Sequence, residues 1–152
     1  MRAVIQRVTE ASVRVGGDVI GTIARGYLVL LGVADGDNDT DVAFIVRKLL
    51  NLRLFADEKS HFSADITEIA GQVLVVSQFT LYADLSKGRR PSFSAAARPE
   101  PADAMYQRVV AELRTNGLTV ATGIFGADMQ VSLVNDGPVT IIVDSQNGGG
   151  FQ

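Results

Sequence analysis

A hydrolytic site built from side chains needs a nucleophile and a base, and this chain is short of bases. It holds one histidine, His61, in the polar stretch DEKSHFS, and no cysteine. Ser77 lies in the apolar run QVLVVSQFTLY, but VVSQF is not the G-x-S-x-G elbow that exposes a nucleophilic serine. Thr80 follows three residues later, and on an extended strand it faces away from Ser77. His61 reads as an exposed loop residue, so a Ser-His-Asp triad is poorly supported. Asp35, Asp37, Asp39 and Asp41 alternate in ADGDNDTD like the start of a calcium loop. The closing Glu is missing and Gly36 is out of place, so capping of a following helix explains these carboxylates more simply. A site needing two histidines or thiolates is excluded within one chain.

Two other stretches have the residue types for recognition. SKGRRPSF carries Lys87, Arg89 and Arg90 around Gly88, with Phe93 close behind. Such a loop can hold phosphates and stack a base on its aromatic; equally, it can be a solvated loop whose Phe enters the core. NDGP, from Asn135 to Pro138, sits between two β-branched runs. Asp136-Gly137 suits a hairpin turn, whereas Pro138 removes a backbone donor where a returning strand begins to pair. The segment is either a hairpin with a stiffened tip or a Gly-Pro peptide that itself takes part in function.

The elements that must position these residues follow from periodicity. RAVIQRVTEASVRV alternates as a strand, Gly16–Asp18 turns, and VIGTIA and GYLVLLGVA continue as strands, the latter buried on both faces. Val42, Ile45, Val46, Leu49 and Leu50 recur at helical spacing, predicting a helix over 40–51 with Asp37, Asp39 and Thr40 as cap candidates. LRLF reads as a strand, and so does 72–82. A long loop, 83–100, precedes a second helix with Pro101 near its first turn and Gly117 at its end. LTVATGIF, MQVSLVN and VTIIVDS complete a single α/β or α+β domain with a mixed sheet and both helices on one side. Residues 1–145 are expected to form that domain and 146–152 a flexible tail.

Composition narrows the function classes. The chain has 152 residues, 47% hydrophobic and 20% charged, with a net charge of -3. That is globular, and it argues against coating nucleic acid through bulk charge, though not against a local basic patch. No apolar run approaches the roughly 20 residues that span a bilayer, and the first residues lack the apolar stretch of a signal peptide. A cytoplasmic protein without membrane association is expected.

SQFTL (77–81) together with NDGPVT (135–140) resembles the D-aminoacyl-tRNA deacylases, and the start MRAVIQRVTEASVRV, the loop SKGRRPSFSAAARPE and the stretch GIFGADMQVSLVNDGPVT agree over essentially the whole chain. The resemblance implies an α/β domain with a β-barrel-like sheet, assembled as a homodimer with active sites at the subunit interface. It implies hydrolysis of the ester between a D-amino acid, or glycine, and the terminal ribose of tRNA, with no metal or organic cofactor. Ser77, Gln78, Phe79 and Thr80 would wall the pocket, the last two at the chemical step. Phe125 and Met129 would line the adenosine site. Gly137-Pro138, cis in the family, would enter the partner's pocket and reject L-aminoacyl esters. Apart from the resemblance, the clustering of Lys87, Arg89 and Arg90 suggests contacts with tRNA phosphates near the acceptor end. The rival expectation is a dimeric RNA-binding or interaction protein that keeps this fold without the chemistry.

Overall fold

The structure, a computed structural model, describes residues 1–58, 60–86 and 88–148. Its organising element is β1, Arg2–Val15. Met1, Ala3 and Ile5 are buried in one core, together with helix residues, while Val8, Ala11 and Val13 are buried in a second. The inward set therefore changes phase near Gln6–Glu10, where the register between β1 and its neighbour β6 slips twice. Period-2 side chains change face at such slips, so one bent strand serves two cores.

β2 (Asp18–Ile23) and β3 (Gly26–Gly32) return along β1, antiparallel, from the Gly16–Gly17 turn. β3 is parallel to β4 (Gln72–Ser77), which is parallel to β5 (Thr119–Thr122). β2 folds back toward β5 closely enough that a Cβ on Gly21 would lie 2.6 Å from the Thr122 carbonyl oxygen. Only glycine permits that approach, which nearly closes the mixed sheet into a barrel.

The parallel crossovers carry the two helices. α1 (Asp39–Asn51) starts at Asn38, whose side chain accepts from the Thr40 amide at 2.9 Å, while Asp41 accepts from the Asn38 amide at 2.9 Å. Asn38 is thus the cap, one residue from the candidates the sequence suggests, and Asp41 completes the capping box. Val42, Ile45, Val46 and Leu49 face the core as expected. α2 (Pro99–Thr115) opens with proline in its first turn and buries Ala102, Tyr106, Val109, Val110 and Leu113. Both helices join the same core as β3 and β4.

Three expectations are corrected. The β4 strand does not run to Tyr82; it ends at Ser77 and breaks into a 3-10 helix, Phe79–Tyr82. LRLF forms no strand: Phe55 makes a single bridge to Ala64 and stacks on Tyr27 at 5.0 Å. NDGP is not a hairpin tip. β6 runs from Gln130 to Asp144 and pairs with β1 on both sides of the Gly-Pro, with Asn135 opposite Val8 and Thr140 opposite Gln6. Five steps along β6 match two along β1, so Asp136–Val139 bulges out of a continuous strand. The Gly137-Pro138 peptide in that bulge is cis.

Gln146 donates its amide to Asp144 and its side chain to Asp37 and Asp41, beside Ser145, which receives the Met1 amine at 2.6 Å. Residues 149–152 of the expected tail lie outside the described residues. Among the described residues no helix is long and apolar enough to cross a membrane.

Candidate active site

The break after β4 creates the site. Gln78 leaves the sheet while its amide still bonds the Leu31 carbonyl at 2.8 Å, and the chain coils tightly through Phe79–Tyr82. The Leu81 amide returns to the Gln78 carbonyl and the Ala83 amide to the Thr80 carbonyl. The amides of Phe79 and Thr80 donate to no group among the described residues, as expected for the first N–H groups of a short helical turn.

This turn borders a cavity of about 480 Å³ lined by Ser77, Gln78, Phe79, Phe93, Phe125, Met129 and Val131, among others. Five of the expected site residues, from two chain segments, therefore converge: Ser77, Gln78, Phe79, Phe125 and Met129. Thr80 stands beside the cavity rather than in its lining, and its Oγ1 accepts from Gln78 Nε2 at 2.5 Å. Phe79 is 56% exposed and meets Phe93 edge-on at 5.0 Å, leaving ring surface open at the entrance. Among the described residues, no carboxylate and no histidine lines the cavity. His61 is exposed in a turn whose neighbour, Phe62, lies near Arg7.

α2 supports the rear wall. β5 ends at Thr122, opposite Val75, because the chain then departs to form the Phe125–Met129 side of the cavity. Tyr106 Oη donates to the Val75 carbonyl at 2.8 Å, and its ring lies 6.0 Å from that of Phe125. Burial pushes the Tyr106 hydroxyl up to about 12, with Asp103 adding to the shift, so it stays protonated and a donor.

The basic loop rises from the same rim. Asp84 and Ser92 exchange backbone bonds of 2.8 and 3.0 Å, which makes the segment between them a narrow arch ending near Phe93. Arg89 and Arg90 are exposed on that arch; Lys87 lies outside the described residues. Hydrogen bonding from Ser86 holds the Asp84 carboxyl below the usual carboxylate range.

Gly137 and Pro138 are not in the cavity. Val131 lines it, and the strand runs four residues further to Asn135 before the bulge begins, about 13 Å on at 3.3 Å per residue. The bulge is braced by residues that sequence reading passes over. Arg7 Nε donates to the Asp136 carbonyl at 2.8 Å and its Nη1 to the Leu54 carbonyl at 2.5 Å. Asn135 Oδ1 accepts from the Val139 amide at 2.7 Å. Gly137 has φ +146°, and a Cβ there would lie 2.7 Å from Val139 Cγ2. Arg7 had a faint signal, a cation within an otherwise core-forming strand; Asn135 had none beyond its place before Asp-Gly.

Fold and site define an α/β domain whose aromatic cavity opens where a parallel strand breaks into a tight turn. Residues 4–144 match the model of the D-Tyr-tRNA(Tyr) deacylase family. A D-aminoacyl-tRNA deacylase of Chloroflexus aurantiacus is 55% identical over 145 residues, covering 95% of this chain and 91% of the relative. Among solved structures, the c-Myc DNA Unwinding Element Binding Protein superposes with TM-score 0.91 at 44% identity, covering 95% of this chain and 99% of that one. A probable eukaryotic D-amino acid tRNA deacylase shares the fold with TM-score 0.81 at 18% identity, over 94% and 98% of the two chains. The chain belongs to the D-Tyr-tRNA(Tyr) deacylase family, a family of hydrolases acting on ester bonds.

Proposed function

We propose that the protein hydrolyses the ester between a D-amino acid, or glycine, and the terminal ribose of tRNA, in the cytoplasm and as a homodimer. The observation that carries this reading is the pair of unspent amides, Phe79 and Thr80, at the edge of an aromatic cavity that holds no side-chain base. The terminal adenosine enters between Phe79, Phe125 and Met129. The ester carbonyl faces the turn, where the two amides stabilise the developing oxyanion, each worth up to about 3–4 kcal/mol. The ribose hydroxyl next to the ester positions the attacking water. Thr80 is not the nucleophile: its oxygen already accepts from Gln78, and no base stands by to take its proton.

Chirality is read by backbone. The Gly137 and Pro138 carbonyls accept from the substrate ammonium. With ammonium and ester fixed, main chain crowds the direction of an L side chain, and a D side chain projects outward. Glycine offers nothing to reject, and main-chain atoms have no rotamers with which to yield. The bulge cannot serve the cavity of its own chain across the strand length that separates them, which supports a second copy as its host. Arg89, Arg90 and Lys87 then contact phosphates of the acceptor end.

The test is to follow ester loss from a D-aminoacyl-tRNA and its L counterpart. Selective loss of the D ester is expected. Binding of tRNA with neither ester lost would instead make this an RNA-binding member that has shed its chemistry.

A further inference from the structure

The turn that carries Phe79 and Thr80 is held at its far end by the two ends of the described chain. Arg2 and Asp144 stand opposite each other in the β1–β6 ladder. Arg2 Nε and Nη2 both reach Asp144 Oδ2, at 2.9 and 2.8 Å, and Asp144 is 2% exposed. The third guanidinium nitrogen, Nη1, donates to the Leu81 carbonyl at 2.7 Å, and the guanidinium carbon lies 4.8 Å from the centre of the Tyr82 ring. Leu81 and Tyr82 close the 3-10 helix that Phe79 opens, so one rigid fork joins the edge of the barrel to the turn that shapes the site.

We propose that Arg2 is a positioning residue for the deacylation step, fixing the Leu81 carbonyl so that the Phe79 and Thr80 amides point where the oxyanion forms. This rests on the reading of those amides as oxyanion donors. A four-residue turn has too few internal bonds to hold its own orientation. Its Gln78 end is tied to β3 through the Leu31 carbonyl, and Arg2 ties the other. The role needs a planar fork that serves two acceptors at once, with Asp144 fixing the fork. A lysine ammonium in the same place keeps the charge pair with Asp144 and loses the rigid reach to Leu81. Arg2 touches no substrate in this scheme; it acts through the turn.

The decisive variant is Arg2→Lys, which leaves Asp144 a cationic partner. A second, Arg2→Met with Asp144→Leu, removes both charges so that neither is buried alone. Each is measured in steady-state and single-turnover deacylation of D-aminoacyl-tRNA, with circular dichroism to verify the fold and amide NMR of the turn. The expected result is a fall in kcat of about 10- to 100-fold, the scale of a misplaced reacting group. KM should stay within about twofold, with shifted amide signals from Phe79 to Tyr82. A folded variant with unchanged kcat, or one that raises KM alone, overturns the proposal; so do unmoved turn amides. If the double variant does not fold, Arg2→Lys decides. If the wild-type protein deacylates nothing, the functional reading fails, and the amide signals still report whether Arg2 holds the turn.

Discussion

At the scale of single residues, the question is what Thr80 contributes. Its hydroxyl oxygen accepts from Gln78, and among the described residues no histidine or carboxylate lines the adjacent cavity. A threonine in that setting can orient a water or a ribose hydroxyl, but it cannot easily become an alkoxide. Thr80→Ala is therefore expected to keep single-turnover deacylation within about tenfold of wild type, whereas loss of a true nucleophile costs about a millionfold in a serine protease. A loss of several orders of magnitude in folded protein would restore covalent catalysis. Some of this was legible before the structure: one histidine, no cysteine and no serine elbow already argued against side-chain nucleophilic chemistry. The brace around the Gly-Pro bulge was not. Arg7 reaches it through long-range contacts from β1 to Asp136 and Leu54, which leave no local pattern in a sequence, and Asn135 reaches Val139 only because the strand bulges between them.

At the scale of elements, helices and strands with a clear period were legible, and elements whose ends are set by tertiary contacts were not. α1 declared itself through Val42, Ile45, Val46 and Leu49, with only its cap displaced by one residue. β4 was overextended because QVLVVSQFTLY is apolar throughout. Its pairing with β5 stops at Val75 and its pairing with β3 at Ser77, opposite Leu31, and apolarity carries no mark of where ladder partners run out. At NDGP a hairpin tip stood open beside the functional Gly-Pro reading because Asp-Gly is the local signal for reversal, and continued pairing of β6 with β1 overrides that signal. The basic arch from Asp84 to Ser92 gives this scale its own prediction. It stands at the cavity rim beside Phe93, so Arg89 and Arg90 should meet phosphates and not bases. Arg89→Gln with Arg90→Gln is expected to weaken tRNA binding for every amino acid attached. It should also flatten the slope of log affinity against log salt by about 1.4–1.8, the sum for two phosphate contacts. Binding measured by fluorescence anisotropy at four salt concentrations checks this, and an unchanged slope takes the arch out of the tRNA path.

At the scale of the whole molecule, the proposed reading makes cavity and bulge parts of one device, and a single chain keeps them apart. The barrel-like sheet places Val131 in the cavity and Gly137 beyond a stretch of strand that cannot fold back, because β1 pairs with it on both sides of the bulge. In the proposed homodimer, two copies related by a two-fold axis would solve this problem twice, each lending its bulge to the other's cavity. Subunit mixing tests that arrangement. Gly137→Ala spoils the bulge, since φ +146° and the 2.7 Å approach to Val139 leave no room for a methyl group; its cavity is untouched. Phe79→Ala spoils the cavity wall and leaves the bulge intact. Each homodimer should be nearly inactive. After denaturation together and refolding at equal concentration, half of the dimers should be mixed, and each mixed dimer has one site with a sound cavity and a sound bulge. Activity of about a quarter of wild type is then expected, the product of one half and one half for a randomly assorting two-fold dimer. Sedimentation of the wild-type protein as a monomer, or a mixture no more active than its parents, would mean that the bulge does not work in trans. Partial recovery is specific to trans action, because a bulge serving its own chain gains nothing from a partner.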